Sequence, residues 1–197
     1  MRAQTLDFGL GALDARLNKI MPVTESFFNK ATRRILALAA IIFALDQFTK
    51  WLVQRSLIAW EERVVIPGFF NLCHRRNTGA AWSMFDGNNT LLAAIALAAL
   101  IALFRWRHHF NAHTLTGQFA FGLIFGGIIG NLTDRLLPGR HAVVDFLHFY
   151  MARRGTFDVW DFPAFNVADS AICTGVVLIF IITWKNESAP QAVTSDK

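Results

Sequence analysis

Four stretches, residues 35–51, 90–106, 119–137 and 165–184, run almost unbroken through apolar side chains, and this limits what the chain can become. Crossing the hydrocarbon core of a bilayer takes roughly 17 to 25 residues of helix, and each stretch meets that length. The chain is 54% hydrophobic and 17% charged, with basic loops between its apolar blocks. A soluble domain is therefore excluded, and the predicted fold is an all-α membrane protein with four transmembrane helices in one bundle.

The formal net charge of +5 does not mark a nucleic-acid binder, because the basic residues sort by topology rather than onto one face. Arg2, Arg16, Lys19, Lys30, Arg33, Arg34, Arg105, Arg107, Lys185 and Lys197 fall on one side of the predicted membrane. Arg55, Arg63, Arg75, Arg76, Arg140, Arg153 and Arg154 are spread over the longer loops on the other. The positive-inside bias predicts cytoplasmic termini, with loops 52–89 and 138–164 outside. This gives a cytoplasmic extension (1–34), a membrane domain (35–184) and a cytoplasmic tail (185–197).

The extension supports at most a short amphipathic helix on the inner membrane face. Arg33-Arg34 precede an apolar run, yet no small-residue cleavage site follows, so the first span is expected to be retained. Cys73 and Cys173 fall in an outer loop and a span, an arrangement that predicts no disulfide. His108, His109 and His113 are expected to be solvated.

Outside the spans, Val64-Val65-Ile66, Pro67-Gly68 and Phe69-Phe70-Asn71-Leu72 read as extended pieces around a turn, a small extracytoplasmic β-rich platform. Residues 141–149 are β-branched and aromatic enough to add another extended stretch. In the third span Gly122, Gly126 and Gly130 recur at i, i+4 and i+8, a smooth stripe for close helix packing.

Polar residues then converge. Asp46 and Lys50 come late in span one, Asn131, Asp134 and Arg135 end span three, and Asn166 and Asp169 begin span four. With the predicted orientation, all lie near the outer boundary. Ionisable groups at such depth are costly and usually face a functional cavity. Asp46 with Lys50, and Asp134 with Arg135, have the spacing of neutralising pairs. Asp169 follows Asn166 by three residues, which fits helix capping as well as chemistry. Asp145, in Val143-Val144-Asp145-Phe146, fits a surface ion pair with Arg140, Arg153 or Arg154 as well as a catalytic role. Trp82, Phe85, Phe146 and Phe149 read as interfacial anchors or a lipid-facing rim.

Five motifs in order resemble those of the lipoprotein signal peptidases, the bacterial inner-membrane aspartyl proteases also called signal peptidase II. They are Asp46-Gln47-Phe48-Thr49-Lys50, Asn77-Thr78-Gly79-Ala80-Ala81-Trp82-Ser83, Gly130-Asn131-Leu132-Thr133-Asp134-Arg135, Val143-Val144-Asp145-Phe146 and Phe165-Asn166-Val167-Ala168-Asp169-Ser170. The resemblance covers residues 35–184. It implies that Asp145 and Asp169 form a catalytic pair, supported by Asp46, Lys50, Asn77, Gly79, Asn131, Asp134, Arg135 and Asn166. It also implies a diacylglyceryl-modified prolipoprotein substrate, cut on the amino side of its lipidated cysteine, in a monomer surrounded by membrane lipids. No cofactor or metal is expected. Two adjacent carboxyls that cannot both ionise cheaply would share one proton. Two departures are visible: residues 1–34 are longer than the usual start, and the 136–142 connection is expanded, with the excess expected to bulge at Pro138-Gly139.

A proton-coupled carrier would also bury charge in a bundle. It requires polar groups through both leaflets, whereas the second span and the inner half of the fourth are apolar. An assembly factor would explain the glycine stripe but not the settings of Asp145 and Asp169. Serine-type proteolysis lacks a base, since the histidines lie in loops.

Overall fold

The structure is a computed structural model that describes residues 29–79, 84–152 and 159–187. The expectations for residues 1–28, Trp82, Arg153, Arg154 and most of the C-terminal tail lie outside the described residues.

Four long helices and one antiparallel sheet make up the described chain. In order these are α1 (Lys30–Ser56), β1 (Glu62–Ile66), β2 (Phe70–Asn77), α2 (Asn89–Trp106), α3 (Leu115–Leu136), β3 (Val143–Ala152), β4 (Val159–Asp161) and α4 (Val167–Glu187). All four helices are long and apolar enough to cross a membrane, with mean hydropathy between 1.4 and 2.0. The helix ends differ from those predicted. Helix α1 starts at Lys30 rather than residue 35, because the Asn29 side chain accepts the Thr32 N–H at 2.9 Å and caps it there. Helix α4 starts at Val167 rather than residue 165, because Phe165 is spent on a bridge to Leu147 of β3.

The strands pair in the order β1-β2-β3-β4. Strands β1 and β2 form the predicted hairpin, and β3 is the predicted extended stretch. The β2–β3 register sets Arg75 opposite Asp145 and Asn77 opposite Val143, after an irregularity between Leu72 and Arg75. Every link between helix and sheet leaves the same end of the bundle, so the sheet covers that end alone. Val53 and Leu57 of α1 pack there against Val144 and Phe146 of β3. Phe146 is therefore core, not rim: it is 5% exposed, whereas Phe85 is 49% exposed. Phe149 lies among Phe69, Phe70 and Phe165.

Helix α3 is the central post, packed against both α1 and α4. The glycine stripe makes this possible on the α1 side. A Cβ added at Gly122 would lie 2.8 Å from Leu38, and one at Gly126 would lie 2.7 Å from the Ala39 carbonyl oxygen. A second small-residue contact, not read from the sequence, faces α4: a Cβ on Gly127 would lie 2.5 Å from the Ala168 carbonyl oxygen. Backbones this close gain dispersion contacts along the whole crossing, the main source of helix association where water supplies no driving force.

Candidate active site

The polar residues predicted to converge do so, beneath the sheet, in two adjoining groups. The first is built around Lys50, whose side chain is fully buried. Its ammonium lies 2.8 Å from Asp46 Oδ2, 2.7 Å from Asp134 Oδ2 and 2.9 Å from Asn131 Oδ1, one acceptor for each of its three protons. Arg140 Nη1 adds a second cation 2.7 Å from Asp134 Oδ1. Two acids and two bases therefore neutralise each other, which burial demands. Asp46 also ties the helices together: its Oδ1 accepts the Ala168 N–H at 3.0 Å in the first turn of α4. A Cβ on Gly130 would lie 2.5 Å from Asp46 Oδ2, so the end of the glycine stripe makes room for this carboxylate.

The expected Asp46–Lys50 pair is thus present, but the expected Asp134–Arg135 pair is not. Successive residues on a helix point about 100° apart, so the side chain that faces the bundle cannot meet its neighbour. Arg135 turns the other way. It donates from Nη1 to Asn89 Oδ1 at 2.9 Å and from Nη2 to the Gly79 carbonyl at 2.7 Å, while Asn89 Nδ2 donates back to the Arg135 carbonyl.

The second group contains Asp145 and Asp169. Asp145 is 3% exposed in β3. Its Oδ2 accepts from Asn77 Nδ2 at 2.9 Å and its Oδ1 from Asn166 Nδ2 at 2.8 Å. Asn77 is held in turn by the Gly79 N–H, which donates to its Oδ1 at 2.9 Å. Asp169, half-buried in the first turn of α4, accepts from Asn131 Nδ2 at 2.7 Å and from the Asn166 N–H at 3.1 Å. The Asp169 N–H donates back to Asn166 Oδ1 at 2.9 Å, so the predicted capping arrangement forms and the carboxylate is also turned toward Asp145's partners. Asn166 holds both acids, one through its side chain and the other through its backbone.

The surface ion pair considered for Asp145 does not form with Arg140, which is engaged by Asp134 and Gln47. Among the described residues, neither Asp145 nor Asp169 has a cation as an ion-pair partner. Burial, reinforced by the charge of Asp169, pushes the Asp145 carboxyl up to about 7 against the donors Asn77 and Asn166. Cys73 is no thiol nucleophile here: burial pushes it up to about 11, which leaves it protonated near neutrality.

Three participants escaped the sequence reading. Gln47 Nε2 reaches the Gly130 carbonyl at 3.2 Å and Asp134 Oδ1 at 3.3 Å, while its Oε1 accepts from Arg140 at 2.9 Å. Its place in the first quoted motif, next to Asp46, was the available signal. Arg140 comes from the expanded connection, which turns at Pro138-Gly139 with Gly139 at φ +84°. That connection, predicted only to bulge, adds a cation to the site. Asn89 carried no signal beyond opening a span.

Four span-length helices that gather buried, asparagine-held carboxyls under a sheet define a membrane protein with a polar cluster at one end of its bundle. Comparison with known proteins agrees with that class. The family profile for signal peptidase (SPase) II matches residues 38–185. The chain is 41% identical over 148 residues to the lipoprotein signal peptidase of Symbiobacterium thermophilum, covering 75% of this chain and 90% of that protein. It is 37% identical over 145 residues to that of Bacillus pumilus, covering 73% and 88%. A bacterial membrane enzyme solved by the in meso method at 2.3 Å resolution superposes with a TM-score of 0.67 at 34% identity, covering 82% of this chain and 94% of that one. The chain belongs to the signal peptidase II family. It is a membrane protease, and its four spans fit a bacterial inner-membrane protein.

Proposed function

We propose that this protein is an aspartyl endopeptidase that removes the signal peptide from diacylglyceryl-modified prolipoproteins, cutting on the amino side of the lipidated cysteine. The observation that carries this reading is Asn166, which grips Asp145 and Asp169 together while, among the described residues, no cation forms an ion pair with either. Its relatives are lipoprotein signal peptidases by name, which supports the substrate class.

In the reaction, Asp145 carries the proton shared by the pair, in keeping with its deep burial and its value of about 7. Asp169, the more accessible acid, takes a proton from water as the water oxygen attacks the scissile carbonyl carbon. Asp145 donates its proton to the carbonyl oxygen, giving a neutral tetrahedral diol. Collapse of the diol transfers the Asp169 proton to the leaving nitrogen, returns one hydroxyl proton to Asp145 and breaks the C–N bond, which restores the singly protonated pair. The products are a signal peptide ending in a carboxyl group and a lipidated cysteine with a free amino group.

The Lys50 cluster, with Asp46, Asn131 and Asp134, fixes α1, α3 and α4 around the pair; Gly79 and Arg135 hold Asn77 in place. Charge distribution supports a periplasmic sheet end, where acyl chains can stay in the bilayer while the scissile bond reaches the acids. One chain supplies all these groups, which supports a monomer as the working unit.

Incubating the purified protein with a lipidated precursor and its unlipidated counterpart, with products followed by mass, tests the proposal. Release of signal peptide from the lipidated form alone is expected. Proton-coupled solute uptake without cleavage would instead support a carrier and overturn it.

A further inference from the structure

The bundle is unevenly closed. Helix α2 packs principally on α3, which leaves a groove of about 290 Å³ between α1, α2 and α3 at the end away from the sheet. Its walls include Ile35, Leu36 and Ala39 of α1, Leu100 and Ile101 of α2, and Phe125 of α3. Lined from Thr32 to Ala39 on one side and from Leu100 to Arg107 on the other, it extends roughly 10 Å along the helices at 1.5 Å per residue. Each leaflet is about 15 Å deep in hydrocarbon, so a slot of this length runs through most of one leaflet.

Among the described residues, the only charged one in its lining is Arg107, at the mouth. The guanidinium lies over the Phe104 ring, 4.4 Å from the centroid, and Nη1 donates to the Phe104 carbonyl at 2.8 Å. These contacts hold the group in place and use one of its five N–H donors. Arg33, Arg34 and Arg105 lie at the same end, where α1 starts and α2 finishes. Among the described residues none of these four arginines has a carboxylate partner. Arg34 reaches only the neutral Gln118 Oε1, at 3.4 Å. An apolar slot one leaflet deep with uncompensated arginines at its opening matches an anionic headgroup joined to a hydrocarbon chain.

We propose that this groove binds an anionic glycerophospholipid, with one acyl chain lying between α1 and α2 and the phosphate held by Arg107. Bound there, the lipid would complete the α1–α2 seam that side chains leave open. This site is at the opposite end of the bundle from the acid pair, and its occupancy does not depend on the peptidase reading.

Native mass spectrometry of the full chain in detergent, with equimolar phosphatidylglycerol and phosphatidylcholine of identical chains, tests it. The protein should retain phosphatidylglycerol preferentially. A single surface arginine favours anionic lipid by about fivefold, so Arg107→Gln should reduce the preference by about that factor. Ile101→Trp, at a position 61% exposed and therefore tolerant of bulk, should block the slot and lower retention of both lipids. Arg55→Gln, at the sheet end, should change nothing. Equal retention of the two lipids, an unchanged preference in Arg107→Gln, full retention in Ile101→Trp, or displacement by inorganic phosphate alone would each overturn the proposal.

Discussion

Four aspartates lie within one connected hydrogen-bond network, yet the protein treats them as two different kinds of group. Asp46 and Asp134 face Lys50 and Arg140, so cations offset their charge. Among the described residues, Asp145 and Asp169 receive two N–H donors each and no ion-pairing cation. Cations commit a carboxylate to its ionised form, whereas neutral amides orient it and leave its proton available for exchange. Under the proposed function, the difference would separate architecture from chemistry among residues of the same type a few turns apart.

Replacing an acid in each group should break the comparison most sharply. Asp145→Asn or Asp169→Asn should lower turnover by about 10²- to 10⁴-fold or more, while thermal unfolding in detergent still reports a folded protein. A variant with normal turnover would place the chemistry elsewhere. Lys50→Met should do the reverse, acting on stability first. It leaves Asp46 without a cation and Asp134 with Arg140 alone, and losing one partner of such a cluster costs about 3 to 5 kcal/mol. Unfolding measurements should register that loss, and adding Asp46→Asn and Asp134→Asn to Lys50→Met should recover much of it.

Smaller changes sharpen the same contrast. Gly127→Ala forces a methyl against the Ala168 carbonyl, which belongs to the turn that carries Asp169. It should cost about 1 to 3 kcal/mol by overpacking and lower activity as α4 is pushed from α3. Proton dependence should be the most specific readout. The ordinary value for this carboxyl is 3.8, and burial in β3 lifts it to about 7. Below pH 7 the proposed acid holds its proton, so activity should fall about tenfold per pH unit above that point. The folded state also binds the extra proton between pH 4 and 7, so stability falls as pH rises through that window and levels off above it. A pH profile of unfolding should reveal this slope in the native protein and its absence in Asp145→Asn.

Much of this arrangement was legible in the sequence because it is local or periodic. The Asn166–Asp169 cap, the Asp46–Lys50 spacing and the glycine stripe each follow from helix geometry over one or two turns. The hairpin was legible from β-branched residues around Pro67-Gly68. What could not be read depends on which way a side chain points. Asp134 and Arg135 are neighbours in the chain but face different partners, and Phe146 looked interfacial until the β2–β3 register turned it toward Val53 and Leu57. Arg140 reaches Asp134 only because its loop folds back, and no local pattern announces that path. Gly127 was hidden because one helix carries two stripes, facing α1 and α4, and only the first keeps an even spacing.

One residue gripping both unpaired acids has a mechanical result. When α4 rocks against the sheet, Asn166 moves with Asp169 and pulls the side chain of Asp145 along with it. Under the proposed function, this tether would couple the two carboxyls, so that a displacement of α4 carries both acids rather than parting them.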